Sequence, residues 1–425
     1  MEKPEVLVSG AGPVGLFAAH SLARAGVSVQ VVDTGIWGCA HSYALALHPS
    51  TVDLLHRSGI AVDTSDDRYA VRTLALYDRK VRRAEIRLDQ PSGKPMLILP
   101  QSLLESQLEK ALTEAGVKVQ WRHKVMNLDP QEDHVNVALN RYEKESFGYV
   151  VSRSDWVVAK SWTENVPYVV GADGYASAVR RSLGFSFPEV GPCAWYGVFE
   201  FNSSADIEEE VRVVLGERTS DVLWPLGDGW FRWSFELPDF HNAEDDRLAK
   251  YRQRFGEPTD RVKDRIDSTT GDVNTLPDRL LKELILERAP WFEGSVDEIG
   301  WRTAVRFERR LSSGFGRDRC WILGDAAHLA GPIGVQSLNV GLTEAADLGQ
   351  AIAKALRGSG GSTELQAWEN RYMTEWRRLQ GIDGTIEPMP CVDPWIWQNH
   401  ARILPALPAH GADLSSLAGQ IGITV

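Results

Sequence analysis

Apolar and polar positions change period along the chain, and each change marks an element. Glu5 to Ser9 is an apolar run of strand length, and Leu16 to Ala25 has helical spacing before Gly26 stops it. Val27 to Val32 returns to strand character and ends at Asp33. His41 to Gly59 reads as a small-residue loop and then a helix. Strands are expected at Leu74 to Tyr77, Val81 to Leu88 and Leu97 to Leu99. A helix from Ser102 to Ala115 puts Leu103, Leu104, Leu108 and Leu112 on one face. Ser102 and Glu105 have the spacing of a capping box. Further strands are expected at Val117 to Trp121, Val125 to Leu128, Val135 to Leu139 and Tyr168 to Val170, while residues 140–165 are polar, weakly patterned and read as hairpins or loop.

Beyond Phe185 the texture becomes aromatic. Trp195 to Phe201, Val211 to Leu215, Asp221 to Leu226 and Trp230 to Leu237 predict an antiparallel sheet, with Gly227-Asp228-Gly229 as a hairpin turn. Helices are expected at Arg247 to Phe255 and Leu280 to Arg288, and a strand at Ile299 to Phe307. Trp321 to Leu323 reads as one more buried strand. Helices at Val340 to Leu356 and Thr363 to Leu379 follow, separated by a Gly358 to Gly361 hinge. The tail from Ile386 is proline-rich and is expected to drape over the surface, with a short helix near Leu414 to Ile421.

Chemistry gathers where strands end. Gly10-Ala11-Gly12-Pro13-Val14-Gly15 follows the first strand and opens the first helix, and Asp33 ends the next strand. In this context the three glycines serve a tight turn, a close backbone approach to a pyrophosphate, and packing of helix on sheet; Asp33 is placed for a ribose hydroxyl. Pro13 suits a helix start because no N–H is needed there. A second strand exit carries Gly171-Ala172-Asp173-Gly174, with Arg180 close behind. A third carries Gly324-Asp325, then the loop Gly331-Pro332-Ile333-Gly334 and a helix start. The bare helix end, with free N–H groups and a positive dipole, suits an anion.

Composition narrows the classes. With 425 residues and 43% hydrophobic content, the chain can build a sizeable core over two or three domains, or one large domain with insertions. A net charge of −12, from 46 basic and 58 acidic residues, argues against nucleic acid or an anionic membrane as partner. No apolar run approaches the ~20 residues of a membrane span. The first strand begins too early to leave room for a signal peptide. Cys39, Cys193, Cys320 and Cys391 are scattered, with neither metal-ligand nor disulfide spacing, so the expected setting is cytoplasmic and no metal is expected.

Taken together, GAGPVG, VVGADG with Ser177 and Arg180, and WILGDAAH followed by Pro332, Gly334, Gln336 and Asn339 resemble the single-component FAD-dependent aromatic hydroxylases, the para-hydroxybenzoate hydroxylase-like flavoprotein monooxygenases. LPQS at Leu99 to Ser102 is similar to the family too, and the resemblance covers most of residues 4–360 in layout. It implies an α/β fold with a discontinuous Rossmann-like FAD-binding domain of the GR2 type (1–72, 98–184 and 285–360). An antiparallel-sheet substrate domain (73–97 and 185–284) is inserted, and a helical C-terminal segment (361–425) completes the chain. The resemblance gives Gly10, Gly12, Pro13, Val14, Gly15 and Asp33 to the ADP half of FAD, Val125 to the adenine and Gln101 to the ribityl-phosphate side, where a plain polar loop residue is the alternative. Asp325 would accept from a ribityl hydroxyl, Asp173 and Arg180 would serve FAD and the nicotinamide cofactor, and Pro332, Gly334, Val335 and Gln336 would line the isoalloxazine ring. Relatives often carry an arginine where Tyr43 stands here, which bears on flavin movement and on NADPH phosphate binding.

The implied reaction is oxygen insertion from O2 into a phenolic or heteroaromatic substrate, driven by NADPH or NADH, through a flavin C4a-hydroperoxide. Epoxidation, Baeyer–Villiger-type oxygenation and a non-oxygenating FAD enzyme (a dehydrogenase or cyclase) are the alternatives, and the protein would be a monomer or homodimer. His328 has two readings, a catalytic base or a histidine satisfying loop hydrogen bonds. Trp195, Trp224 and Arg232 are the substrate candidates from the aromatic sheet, in a pocket expected between that sheet and the flavin loop; most of the 15 tryptophans must be packing.

Overall fold

The protein is described by a computed structural model over residues 3–36, 38, 45–62, 66, 69–90, 92–147, 153–207, 209–238, 240, 276–358, 361–382, 387–389 and 392–425. Tyr43, Cys39, Cys391, Ile386, the Arg247 to Phe255 helix and the middle of the Gly358 to Gly361 hinge lie outside the described residues. The chain divides into two compact units, residues 1–70, 88–192 and 308–425, and residues 71–87 and 193–307.

The first unit is built on a six-stranded sheet. Its order is Gly316–Arg317, Cys320–Ile322, Tyr168–Gly171, Val6–Ser9, Val29–Asp33, Val119–Trp121. All neighbours run parallel except the Gly316–Arg317 edge. The central strands are almost wholly apolar and closed to solvent, as strands buried on both faces must be. Three strand ends, at Ser9, Gly171 and Ile322, therefore stand side by side in register. Helix Pro13–Arg24 packs against helices Gln101–Glu114 and Gln336–Leu356. Two glycines permit the second contact: a Cβ on Gly341 would lie 2.9 Å from Val14, and one on Gly349 3.0 Å from Ser21.

Of three expectations in this unit, one resolves to its hairpin form and two need correction. Residues 140–165 are a long ribbon, Val135–Phe147 against Arg153–Val166, which joins His123–Pro130 in a three-stranded antiparallel sheet. Trp156 and Val158 are exposed on it, whereas Val135, Val137 and Leu139 alternate inward at its base. The capping box fails because the helix begins at Gln101, with Pro100 as N-cap, so Ser102 already lies inside it and no side chain caps the end. The C-terminal segment is packed rather than draped. Helices Pro394–Ile403 and Gly411–Gly419, with the turn between them, bury Ile403, Leu407, Leu414 and Ala418, and Ile423–Thr424 pairs with Glu387–Pro388.

The second unit is a seven-stranded sheet in the order Glu298–Phe307, Ala194–Asn202, Trp230–Glu236, Ser220–Gly227, Glu210–Leu215, Thr73–Asp78, Val81–Arg87. It is not wholly antiparallel, because Glu210–Leu215 and Thr73–Asp78 run parallel. They come from distant parts of the chain, and no hairpin dictates their direction. One face carries Phe199, Phe201, Leu223, Trp233 and Phe235, packed with Leu281, Leu284 and Ile285 of helix Asp278–Arg288.

Candidate functional site

The site is built where the three strand ends of the first unit meet. Gly10 has φ +110°, and a Cβ there would lie 2.1 Å from the carbonyl oxygen of Ala172. A Cβ on Gly15 would lie 2.1 Å from the carbonyl oxygen of Gly10. The first turn, the first helix and the Gly171 strand exit are thus pressed together with no room for side chains. Gly12 differs: nothing lies within 4 Å of its would-be Cβ. It faces open space at the N-cap of a helix with Pro13 in its first turn and no side-chain cap. The N–H groups there have no intrahelical acceptor, which suits an anion. Asp33 accepts from the N–H of Ala11 at 2.7 Å and of Gly35 at 2.6 Å, so its carboxylate fixes the turn while keeping lone pairs for a further donor.

Asp173 and Arg180 are tied into the protein. Asp173 accepts from the Ser177 hydroxyl at 2.5 Å and the Ala178 N–H at 2.7 Å, and burial raises its pKa against these bonds. Ser177 caps its short helix by accepting from the Arg180 N–H at 2.9 Å. The Arg180 guanidinium donates to the carbonyls of Ala326 and Tyr175, both at 2.7 Å, and lies over the Phe187 ring. It fastens the second strand exit to the third.

At the third exit Gly324 has φ +61° and sits against Val14. Asp325 is exposed, yet lost hydration raises its carboxyl above the usual range, with His328 opposing. Among the described residues no hydrogen-bond donor reaches its carboxylate. His328 behaves differently: fully buried, its Nε2 is 2.7 Å from Glu344 Oε2, and its ring stacks on Trp376 at 3.7 Å. A base must touch what it deprotonates, so this geometry gives His328 a structural part.

Past Pro332 the loop turns into helix Gln336–Leu356 through Val335, which has φ 45° and ψ 34° and no side-chain cap. A left-handed β-branched residue persists only where its surroundings hold it. Asn339 donates to the Val335 carbonyl at 2.8 Å and to the Ala46 carbonyl at 3.0 Å. The Asn339 Oδ1 accepts from the His48 N–H at 2.8 Å, and His48 Nε2 lies 3.2 Å from the Gly334 carbonyl. Gln336 is buried and donates to the Leu407 carbonyl at 3.3 Å. His48 and Glu344 were not legible as site residues: one sits just before a helix and the other inside one, and only distant partners reveal them.

Gln101 donates to Glu105 at 2.7 Å in the first turn of its helix, and Val125 is buried in its strand opposite Leu139. The substrate candidates belong to the second unit. Trp224 stands directly across from Arg232, and Arg232 from Glu200, so the three share the face opposite Trp233. Arg232 pairs with Glu200 and lies 5.7 Å from the Trp301 ring. Trp224 is 1% exposed with its indole N–H unpartnered among the described residues. Trp195 packs on Phe240 and the core of its own unit, which accounts for it as packing. Among the described residues no group of three or more His, Cys, Asp or Glu is arranged to hold a metal, and no helix is long and apolar enough to cross a membrane.

Open backbone at Gly12, an unpartnered carboxylate at Asp325 and an uncapped helix start at Gln336 together fit a phosphate-, hydroxyl- and ring-bearing group such as FAD. Comparison with known proteins agrees. A family described as FAD binding domain matches residues 3–378. The 6-methylpretetramide 4-monooxygenase of Streptomyces rimosus is 29% identical over 361 residues, covering 84% of this chain and 56% of the relative. Rifampicin monooxygenase of Streptomyces venezuelae is 26% identical, over 83% of this chain and 65% of its own length. The chain thus spans just over half to about two thirds of these curated relatives. Among solved structures, p-nitrophenol 4-monooxygenase from Pseudomonas putida aligns with a TM-score of 0.66 at 20% identity, covering 99% of this chain and 95% of its own. Aklavinone-11 hydroxylase, solved with FAD and aklavinone, aligns at 0.64 and 21% identity, over 90% and 67% of the two chains. At such identities the structures speak for the fold.

Proposed function

Because the chain belongs to the FAD binding domain family, we propose that it is a FAD-dependent monooxygenase, taking electrons from NADPH or NADH and placing one oxygen atom of O2 on an electron-rich aromatic compound. The observation that carries this reading is the unpartnered Asp325 carboxylate, next to Gly324, which sits against Val14 of the glycine turn. FAD, when bound, supplies hydride acceptance and oxygen activation. The chain's own residues hold and orient it. The Gly10–Gly15 turn offers N–H groups to the pyrophosphate, Asp33 a ribose acceptor, and Asp325 a ribityl acceptor. Gln101 and Val125 are assigned to the ribityl-phosphate and adenine sides. Pro332 to Gln336 lie along the ring, where the helix start stabilises negative charge with preorganised donors. Asp173 and Arg180 are assigned the placement of these loops, and through them the approach of the nicotinamide. The first unit is the FAD-binding domain and the second the substrate domain. There Trp224 offers an indole donor and an apolar wall to an aromatic, and Arg232 a charge.

The test is reconstitution of the purified chain with FAD and a panel of phenolic and heteroaromatic compounds. Substrate-stimulated NADPH oxidation matched by O2 uptake, with little peroxide, is the expected result. NADPH oxidation or substrate turnover without O2 uptake makes it a non-oxygenating FAD enzyme instead, and failure to retain FAD removes the reading altogether.

A further inference from the structure

The C-terminal segment lies outside the matched family region, which stops at residue 378, yet it reaches the loop that precedes helix Gln336–Leu356. A Cβ on Gly334 would fall 2.5 Å from the Pro405 carbonyl oxygen and 3.0 Å from that of Leu407, so the two backbones are in contact. Beside this contact His410 Nδ1 lies 2.9 Å from His48 Nδ1, and His48 Nε2 faces the Gly334 carbonyl. On its far side His410 Nε2 is 3.4 Å from the Thr343 hydroxyl, whose single hydrogen can go to that nitrogen or to the Asn339 carbonyl at 3.2 Å. A chain of contacts therefore runs from the C-terminal segment through two imidazoles to the loop that holds Val335 left-handed.

We propose that His410 and His48 act as a pair of positioning residues, locking the Gly334–Gln336 loop in the conformation that receives the flavin ring. The inference rests on the FAD reading above. The hydrogen count fixes how the pair works. The Gly334 carbonyl accepts, so His48 Nε2 carries a hydrogen. Neutral His48 then presents a lone pair at Nδ1, His410 Nδ1 is the donor to it, and His410 Nε2 accepts from Thr343. One added proton reverses the line. His48 Nδ1–H then donates to His410 Nδ1, His410 Nε2–H to the Thr343 oxygen, and Thr343 to the Asn339 carbonyl. A second proton sets N–H against N–H and breaks the pair. The loop is thus held with zero or one proton and released with two.

Burial lowers the pKa of both rings, and their mutual repulsion lowers that of His48 further, so the pair is neutral near pH 7. The acids facing His410 are Glu375 on helix Gly361–Leu379, Asp413 on its own helix and Glu344 on the long helix, all opposing that effect. Glu375 is itself engaged by the Gly411 N–H at 2.9 Å.

The experiment measures FAD affinity of the full chain by flavin fluorescence between acid and neutral pH, together with melting of the FAD-free protein. Wild type should hold FAD well at neutral pH and lose affinity on the acid side. His410→Leu should bind about tenfold more weakly at neutral pH, the value of one hydrogen bond, with FAD-free stability lowered by no more than that bond. His410→Asn, whose amide can donate to or accept from His48 Nδ1, should restore neutral affinity and abolish the acid-side loss. Wild-type affinity and pH profile in His410→Leu overturn the inference while leaving the FAD reading intact. If His410→Leu does not fold, an unchanged acid limb in His410→Asn overturns it equally. A wild-type chain that binds no FAD overturns the reading and the inference together.

Discussion

His328 and Glu344 meet at 2.7 Å, Nε2 to Oε2, with no side-chain surface of either exposed. Glu344 also accepts from the Trp376 indole at 2.5 Å, and its carbonyl from Trp368 at 3.1 Å. One carboxylate therefore ties the third strand exit, the long helix and helix Gly361–Leu379 together. Removing one partner of such a buried pair costs about 3–5 kcal/mol, because the other is left uncompensated. His328→Ala should lose roughly that much in chemical denaturation of the FAD-free chain. A base acting on substrate would instead leave stability intact and lower turnover alone.

Asp325 has the opposite profile. With no donor reaching it among the described residues, Asp325→Ala removes no internal bond, and the FAD-free protein should melt at or above the wild-type temperature. FAD affinity should fall about ten- to a hundredfold, the range for a hydrogen bond to a charged group. Equilibrium dialysis against FAD checks it, and undiminished affinity would sink the role assigned to Asp325.

Gly10 and Gly12 separate folding from binding within one turn. Gly10→Ala puts a Cβ against the Ala172 carbonyl at a φ of +110°, which should cost at least about 3 kcal/mol in strain and overlap. Gly12→Ala meets no atom, and its φ of −70° suits alanine. Its FAD-free stability should stay within about 0.5 kcal/mol of wild type, while FAD retention drops because the methyl occupies the phosphate's approach. Parallel melting and FAD titration of the two variants check the contrast.

In the second unit Asp221 is fully buried beside Arg288, at 3.1 Å, and accepts from the Glu236 N–H at 2.9 Å. Burial pushes its carboxyl up from 3.8 to about 7, with Arg288 opposing. Between those values the folded state holds a proton that the unfolded state has lost, so stability falls as pH rises. The slope approaches 1.4 kcal/mol per pH unit, and the loss across the window is on the order of 4 kcal/mol. Asp221→Asn should remove this contribution, flattening denaturation midpoints between pH 4 and 7; an unchanged slope would place the titrating group elsewhere.

The division between sequence and structure follows the range of the forces involved. The glycine turn, the Gly171 and Gly324 strand exits and the helices behind them were legible because each is set within a few residues. A backbone that needs φ > 0 or close approach selects glycine on the spot, and helical or strand spacing shows in a short window. The family resemblance rested on these same local signals. What only the tertiary structure decided is which polar groups are already occupied. Arg180 is taken by Ala326, 146 residues away, and His48 by His410, 362 residues away. The local sequence around His328 is the same whether the ring faces a substrate or, as it does, Trp376. The pairing of residues 140–147 with 153–161 is not readable locally, because exposed positions such as Trp156 and Val158 break the alternation. The C-terminal segment shows only its prolines in the sequence, while in the fold its Pro405 and Leu407 carbonyls lie against Gly334 and its His410 against His48. Hydrogen bonding is satisfied pairwise in space, and no local pattern records a partner hundreds of residues away.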